Sequence, residues 1–195
     1  MRKSVVTCVL LIAALTGCGS STPRVAVVGD SITVLAGRDI AKDLHTRYHT
    51  DIQAQLGQRI DQMLPALARQ LRHHPHAVVV NLGTNDMLQA QIHPDWQSGF
   101  IRLVSMVASS PCVVFVTISS LGRSNISEPA VAGAINAAIA RAVLDHHNFH
   151  VVDWNALVHS PNGLSLLIPD KIHPSAEGSQ RLASAIRGAL EHRCG

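Results

Sequence analysis

The chain alternates apolar runs with more polar segments, and five short apolar runs rich in branched residues stand out. They occupy residues 25–28, 50–55, 77–82, 112–118 and 150–152. Runs of this length and composition predict β-strands. The third and fourth runs are almost continuously apolar, which is typical of strands covered on both faces in a parallel sheet. The pattern therefore predicts an internal sheet.

Segments with apolar residues at helical spacing lie between these strands. Residues 60–71 and 96–107 place an apolar residue at every third or fourth position, which predicts helices with one buried face. We expect an alanine-rich helix from Ser127 to His146 and a last helix over residues 175–192. Such alternation implies right-handed crossovers. We therefore predict an α/β fold, a three-layer α/β/α sandwich around a flavodoxin-like five-stranded parallel sheet.

The amino terminus has the order of an export signal. Arg2 and Lys3 precede an apolar run over residues 5–15, which is shorter than the roughly 20 residues that a membrane-spanning helix needs. Residues 15–18, Leu-Thr-Gly-Cys, resemble a bacterial lipobox and predict cleavage before Cys18 and acylation of that cysteine. We expect a lipoprotein signal peptide over residues 1–17, a tether over 18–24 and one domain over 25–195.

These features predict an exported protein that a lipid on Cys18 anchors to the cell membrane, facing away from the cytoplasm. An ordinary secretory signal is the alternative, and it predicts a secreted protein. The formal net charge of +3 falls to +1 without Arg2 and Lys3, and the basic residues form no run. We therefore expect no nucleic-acid partner.

Cysteine usage fits an exported chain. Cys8 lies in the predicted signal and Cys18 is predicted to carry the lipid, which leaves Cys112 and Cys194 as a possible disulfide pair. The last helix should return antiparallel to the strands, so its end should lie near the start of the fourth strand, where Cys112 stands. The alternative is that Cys112 is a small buried residue.

Polar and glycine residues follow the predicted strands at one edge of the sheet. Ser31 directly follows the first strand, Gly57 the second and Asn85 the third, while Asp170 and His173 follow the fifth. Because the carboxyl ends of parallel strands meet at one edge, we expect these residues to converge there. The sequence therefore predicts a reaction site at this edge.

Nucleophilic attack by a serine requires a base. His173 can accept the Ser31 proton on one ring nitrogen, while Asp170, three residues earlier, holds the other nitrogen. Attack on an ester carbonyl also creates an oxyanion that needs hydrogen-bond donors. The predicted donors are the backbone amides of Ser31 and Gly57 and the side-chain nitrogen of Asn85.

Four sequence blocks carry a resemblance to a known family. They are residues 27–33 around Gly-Asp-Ser, residues 55–58 around Gly57, residues 81–86 around Gly-Thr-Asn-Asp, and residues 170–174, Asp-Lys-Ile-His-Pro. In this order they resemble the blocks of the GDSL/SGNH hydrolases, although Ile32 replaces the leucine of the family name. The resemblance implies esterase or lipase-like activity, with no metal and no cofactor.

The leading functional interpretation is hydrolysis of carboxylic esters by a monomer, through an acyl-enzyme on Ser31. Short acyl or O-acetyl groups of envelope or small-molecule substrates are expected, because the chain carries no insertion resembling a lid. Two alternatives stay open: an envelope O-acyltransferase with the same triad, and a non-catalytic binding lipoprotein.

Two histidine-rich segments, residues 73–76 and 146–147, raise the question of a metal site. Each abuts the start of a predicted strand, at the end of the sheet opposite to Ser31, and no cysteine or carboxylate stands at ligand spacing. We therefore interpret both as solvated loops.

Overall fold

The computed structural model describes residues 22–122 and 127–195. The predicted signal peptide, Cys18 and most of the predicted tether lie outside the described residues, and the first strand begins at Arg24, within the predicted tether. No helix in the described ranges combines the length and the apolar character needed to cross a bilayer.

Five parallel strands form one sheet in the described part of the chain. They are β1 (Arg24–Gly29), β2 (His49–Ala54), β3 (Ala77–Asn81), β4 (Val113–Val116) and β5 (Phe149–Val152). Their order is β2-β1-β3-β4-β5, and every neighbouring pair is parallel. This confirms the predicted flavodoxin-like sheet.

Helices connect the strands and cover both faces of the sheet. Right-handed crossovers place the β1-to-β2 and β2-to-β3 helices on opposite faces, because the second connection reverses direction. The first helix packs against the last one, and the second against the fourth. The helices are α1 (Ser31–Leu44), α2 (Ile60–Leu71), α3 (Thr84–Leu88), α4 (Trp96–Val107), α5 (Ser127–Asp145), α6 (Trp154–His159) and α7 (Ala176–Arg193).

The centre of the sheet is apolar and closed to solvent. The side chains of β1 from Val25 to Val28 and all of β4 are buried. The Phe115 ring lies 6.1 Å from Phe100 and 5.4 Å from Phe149, which ties the sheet to α4. A dry, close-packed sheet of this kind deforms little, so it gives a stable platform to the loops at its carboxyl edge.

The connection after β5 differs from the prediction. The segment of Asp170 and His173 does not follow β5 directly, because α6 and a 3-10 turn (Gly163–Leu166) come between them. The chain turns sharply at Asn162, which has a left-handed φ of 66°. Leu167 then forms an antiparallel bridge with Pro174, which returns the chain towards α7.

The structure joins Cys112 and Cys194 by a disulfide, with Cα atoms 5.5 Å apart. Cys112 directly precedes β4 and Cys194 directly follows α7. The bond therefore fastens the last helix to the amino end of the sheet. His76 reinforces this junction, because its Nε2 donates to the Cys194 carbonyl at 2.9 Å.

Candidate active site

Ser31 is the first residue of α1 and is 7% exposed. Asp30 caps the helix, because its Oδ1 accepts the Ile32 N–H at 3.0 Å. A Cβ atom at Gly29 would collide with the Thr33 side chain, so only glycine fits where the strand turns into the helix. This turn holds the Ser31 side chain at the carboxyl end of β1.

The structure brings Ser31, His173 and Asp170 together in one chain of hydrogen bonds. His173 Nδ1 donates to Asp170 Oδ2 at 2.6 Å. This fixes the ring proton on Nδ1, so Nε2 is free to accept from the Ser31 hydroxyl, whose Oγ lies 3.0 Å away. The arrangement can move a proton from Ser31 to the imidazole while the carboxylate holds the ring in place.

The Asp170 carboxylate is itself held on both oxygens. Its Oδ1 accepts the backbone N–H groups of Ile172 at 2.9 Å and His173 at 3.0 Å. Partial burial alone would raise the pKa of Asp170, but the bond from the His173 side chain and these two backbone bonds outweigh it and lower the pKa. Asp170 therefore stays ionised and can stabilise a positive charge on His173.

A closed turn supports this pair. The Ile168 N–H donates to the His173 carbonyl at 2.9 Å, and the Lys171 N–H donates to the Ile168 carbonyl at 2.9 Å. Lys171 has a left-handed φ of 61°, which most residues other than glycine avoid. These bonds restrict the backbone on both sides of Asp170, so the ring of His173 has little freedom to turn away from Ser31.

The two other residues predicted as oxyanion donors also lie at the carboxyl edge. Gly57 occupies the exposed turn after β2, with a left-handed φ of 74° that favours glycine. Asn85 lies in α3 and is 6% exposed. Its Nδ2 is buried and, within the described residues, has no hydrogen-bond partner. A buried donor without a partner is costly, and an oxygen atom of a bound substrate would satisfy it.

Contacts that the sequence did not reveal join these two donor segments. Gln89 Nε2 donates to the Gly57 carbonyl at 3.0 Å, and Arg59 Nη1 donates to Gln89 Oε1 at 2.9 Å. Asp86 Oδ2 accepts the Ile60 N–H at 3.0 Å. Gln89 and Asp86 therefore hold the Gly57 turn against the short helix that carries Asn85. Residues 26 to 32 positions apart make these bonds, so no local motif predicts them.

Two buried carboxyl groups lie behind Ser31. Complete burial raises the pKa of Asp30 to about 7; the Asp86 charge adds to the rise, whereas the Ile32 N–H opposes it. Burial likewise raises the pKa of Asp86 to about 6, against the bond from Ile60. The charge of His173 lowers the pKa of Asp30.

Large apolar side chains near these residues are exposed. Val34 and Leu35, in the first turn of α1, are 42% and 50% exposed, and Leu56, beside Gly57, is 63% exposed. Ile168, two residues before Asp170, is 41% exposed. These apolar neighbours of the site face solvent, where an apolar part of a substrate can cover them.

The comparisons with known proteins agree with this geometry. The chain belongs to the GDSL-like lipase/acylhydrolase family, whose model matches residues 27–181. It is a hydrolase of the GDSL/SGNH type, which confirms the family and the enzyme class predicted from the sequence. No curated protein sequence matches the chain.

Solved structures of the same fold include three with informative names. The catalytic domain of peptidoglycan O-acetyltransferase A from Streptococcus pneumoniae is 16% identical, with a TM-score of 0.73 over 87% of this chain and 93% of that one. The lipase/acylhydrolase from Enterococcus faecalis is 18% identical, with a TM-score of 0.69 over 88% and 96%. An acetylxylan esterase from Geobacillus stearothermophilus is 16% identical, with a TM-score of 0.69 over 90% and 95%.

The raised pKa of Asp30 predicts how stability depends on pH. Native Asp30 holds its proton up to about pH 7, whereas the unfolded group releases it near its ordinary pKa of 3.8. The native state therefore binds more protons, and Asp30 lowers the free energy of unfolding as pH rises from about 5 to about 8. Asp170, with its lowered pKa, is ionised throughout this range.

Asp30→Asn removes this ionisation but keeps an oxygen that accepts the Ile32 N–H. In urea titrations we compare the free energy of unfolding of Asp30→Asn with that of the wild type. This difference should be more favourable to the variant at about pH 8 than at about pH 5. Groups that do not interact with Asp30 titrate alike in both proteins and cancel in the difference, whereas Asp86 interacts with Asp30 and adds to it. Asp30→Ala, which also loses the cap, should be destabilised at both values. An equal stability difference at the two pH values for Asp30→Asn contradicts a buried, titrating Asp30.

Proposed function

We propose that this chain is a serine esterase that hydrolyses carboxylic esters with short acyl groups, such as O-acetyl groups of envelope or small-molecule substrates. Ser31 is the nucleophile, His173 the general base and acid, and Asp170 the residue that orients His173. The observation that carries the proposal is the 3.0 Å contact between Ser31 Oγ and His173 Nε2. A serine that donates to a carboxylate-backed imidazole is the arrangement that acyl transfer requires.

The reaction proceeds in two halves. As Ser31 Oγ bonds to the ester carbonyl carbon, its proton passes to His173 Nε2, and the Asp170 carboxylate stabilises the imidazolium. The tetrahedral intermediate collapses by cleavage of the carbon–oxygen bond to the alcohol, which takes the proton from His173. A water molecule then attacks the acyl-enzyme, gives a proton to His173 and releases the acid, and Ser31 recovers its proton.

The developing oxyanion needs donors that are already in position. The proposed donors are the Ser31 and Gly57 amides and Asn85 Nδ2. The unpartnered, buried nitrogen of Asn85 supports this role, because a group that gains its only hydrogen bond when the substrate reacts stabilises that state selectively. Gln89 supports the Gly57 turn, because its Nε2 donates to the Gly57 carbonyl.

Two observations support a short acyl group. A tunnel for a long chain would require a large apolar cavity opening at Ser31. Cavities of about 1000, 700 and 600 Å³ are instead lined by other residues. The similar structures include an acetylxylan esterase, a protein that is named for acetyl esters. The exposed leucines at the site suit a small apolar group at the surface.

A second candidate is transfer of the acyl group to a sugar hydroxyl by the same triad. The likeness to the catalytic domain of a peptidoglycan O-acetyltransferase favours it, because the fold and overall length agree. An exported chain anchored by a lipid on Cys18 suits both candidates, since each substrate class lies outside the cytoplasm. The sequence of the amino terminus supports that location.

The nucleophile can be tested by covalent labelling. A fluorophosphonate probe should label the wild type and leave Ser31→Ala unlabelled, because the probe requires a serine activated by an imidazole. Ser120→Ala is the matched control, since Ser120 Oγ also lies near an imidazole, 3.5 Å from His159 Nε2. Labelling that persists in Ser31→Ala, or that disappears in Ser120→Ala, removes Ser31 from this role.

Asn85→Ala should lower kcat by about a hundredfold or more with little change in KM, because the lost bond forms mainly in the transition state. Asn85→Asp keeps the size of the side chain, loses the donor and adds a negative charge, so it should be at least as slow. Thermal melting of both variants checks that they fold. Wild-type turnover in folded Asn85→Ala would show that the Asn85 amide does not stabilise the oxyanion.

Product analysis distinguishes the two candidate functions. With p-nitrophenyl esters of increasing chain length we expect the highest kcat/KM for acetate. With an acetyl donor and an oligosaccharide acceptor together, a hydrolase should release free acetate at the same rate as without acceptor. If acetylated oligosaccharide forms faster than free acetate, the chain is a transferase; a preference for long-chain esters contradicts the short-acyl proposal.

A further inference from the structure

We propose that a cavity at the amino ends of β1, β2 and β3 binds a phosphate group. The cavity has a volume of about 700 Å³, and its lining includes Arg24, His49, His73, His74 and His76. It lies at the end of the sheet opposite to Ser31. The sequence predicts a solvated loop at residues 73–76 and indicates no role for His49, whereas the fold brings all of them to one cavity.

The register of the sheet sets three of these side chains in a row. Arg24 and His49 are paired residues of β1 and β2. The pairing of Val25 with Ala77 puts His76 level with Arg24 on the other side. Paired residues of neighbouring parallel strands point to the same face, about 4.8 Å apart. The side chains of Arg24 and His49 therefore leave the sheet on the same face, with His76 level with Arg24 on the other side.

Backbone hydrogen bonds fix this row. The His76 N–H donates to the Arg24 carbonyl at 2.8 Å, and the His49 N–H donates to the Pro23 carbonyl at 2.9 Å. The loop before His76 contributes His73 and His74, and His74 adopts a left-handed φ of 46°. The cationic groups are thus attached to the end of a buried sheet, which pre-organises them.

Arg24 is the one arginine of the cavity lining and has no acidic partner in the described structure. It is partly buried, yet within residues 22–122 and 127–195 it makes no ion pair, and no aspartate or glutamate of these residues lines the cavity. Of the four imidazoles, His76 alone has a side-chain hydrogen bond in the described structure, to the Cys194 carbonyl. A partly buried guanidinium without an ion pair is unfavourable, and the other three imidazoles offer unused hydrogen-bonding nitrogens, so the cavity favours an anion.

A phosphate group fits better than a metal ion or a single carboxylate. Within the described residues, no group of three or more histidine, cysteine, aspartate or glutamate side chains could hold a metal, and a guanidinium repels cations. Guanidinium donors match the oxygen spacing of phosphate. Donors that approach from β1, from β2 and from the loop before β3 suit an ion with several oxygens. Soluble anions and lipid headgroups both carry this group, and the experiment distinguishes the two sources.

The test measures binding of inorganic phosphate to the full chain by calorimetry at constant ionic strength, and we expect binding by the wild type. Arg24→Gln and His49→Gln should each weaken it by about tenfold or more. His147→Gln is the matched control, since His147 is exposed and lies outside the cavity.

A second arm identifies the source of the phosphate. Vesicles of phosphatidylcholine with about 30% phosphatidylglycerol are compared with phosphatidylcholine alone in a sedimentation assay. A lipid headgroup is supported if the wild type sediments with the anionic vesicles, Arg24→Gln does not, and inorganic phosphate does not bind. Binding of inorganic phosphate without sedimentation supports a soluble anion.

Esterase activity of each variant checks its folding, because the cavity and Ser31 lie at opposite ends of the sheet. If Arg24→Gln is inactive or melts early, phosphate binding is measured instead with the double variant His73→Gln/His74→Gln, whose substitutions lie on the exposed loop. Absence of binding in both arms overturns the proposal. So does binding that the folded cavity variants retain at the wild-type level, since the anion then binds elsewhere.

Discussion

The hydrogen bond between Ser31 and His173 joins residues 142 positions apart, and the reaction that we propose depends on it. Neither residue can set this distance alone. Gly29 and the Asp30 cap fix the start of α1 on one side, and the closed turn around Asp170 fixes the imidazole on the other. Both are attached to the same buried sheet. Because the sheet is rigid, it holds the two turns at a fixed separation, so the packing of the core sets the distance between Ser31 and His173.

Much of the fold follows from apolar periodicity. Continuous valine runs at β3 and β4 predict buried parallel strands, and the structure confirms their position in the middle of the sheet. The family is also readable, because its blocks are local and ordered along the chain. The connection after β5 was less predictable: α6 is only one and a half turns long, and its Asp153 cap resembles any loop aspartate. Short helices are stabilised by their surroundings more than by their own sequence.

Side-chain contacts across elements were the part that the sequence could not reveal. Gln89 looks like any polar residue at the end of a helix, yet its side chain holds the Gly57 turn by donating to the Gly57 carbonyl. Asp30 looks like an ordinary helix cap, yet its complete burial brings its ionisation close to neutrality. His49 has no histidine neighbour in sequence, and only the register of β1 with β2 places it beside Arg24. Each property depends on packing among segments distant in the chain.

His76 lies where the two ends of the folded chain meet. Its backbone N–H binds the carbonyl of Arg24, at the start of β1, and its ring binds the carbonyl of Cys194, one residue from the carboxyl terminus. β1 spans about 20 Å before it reaches the serine turn. The start of β1 and the end of α7 therefore lie side by side, at the end of the sheet opposite to Ser31. A circular permutant of residues 24–195 that joins these two points through a short flexible peptide would preserve the geometry of the edge that carries Ser31.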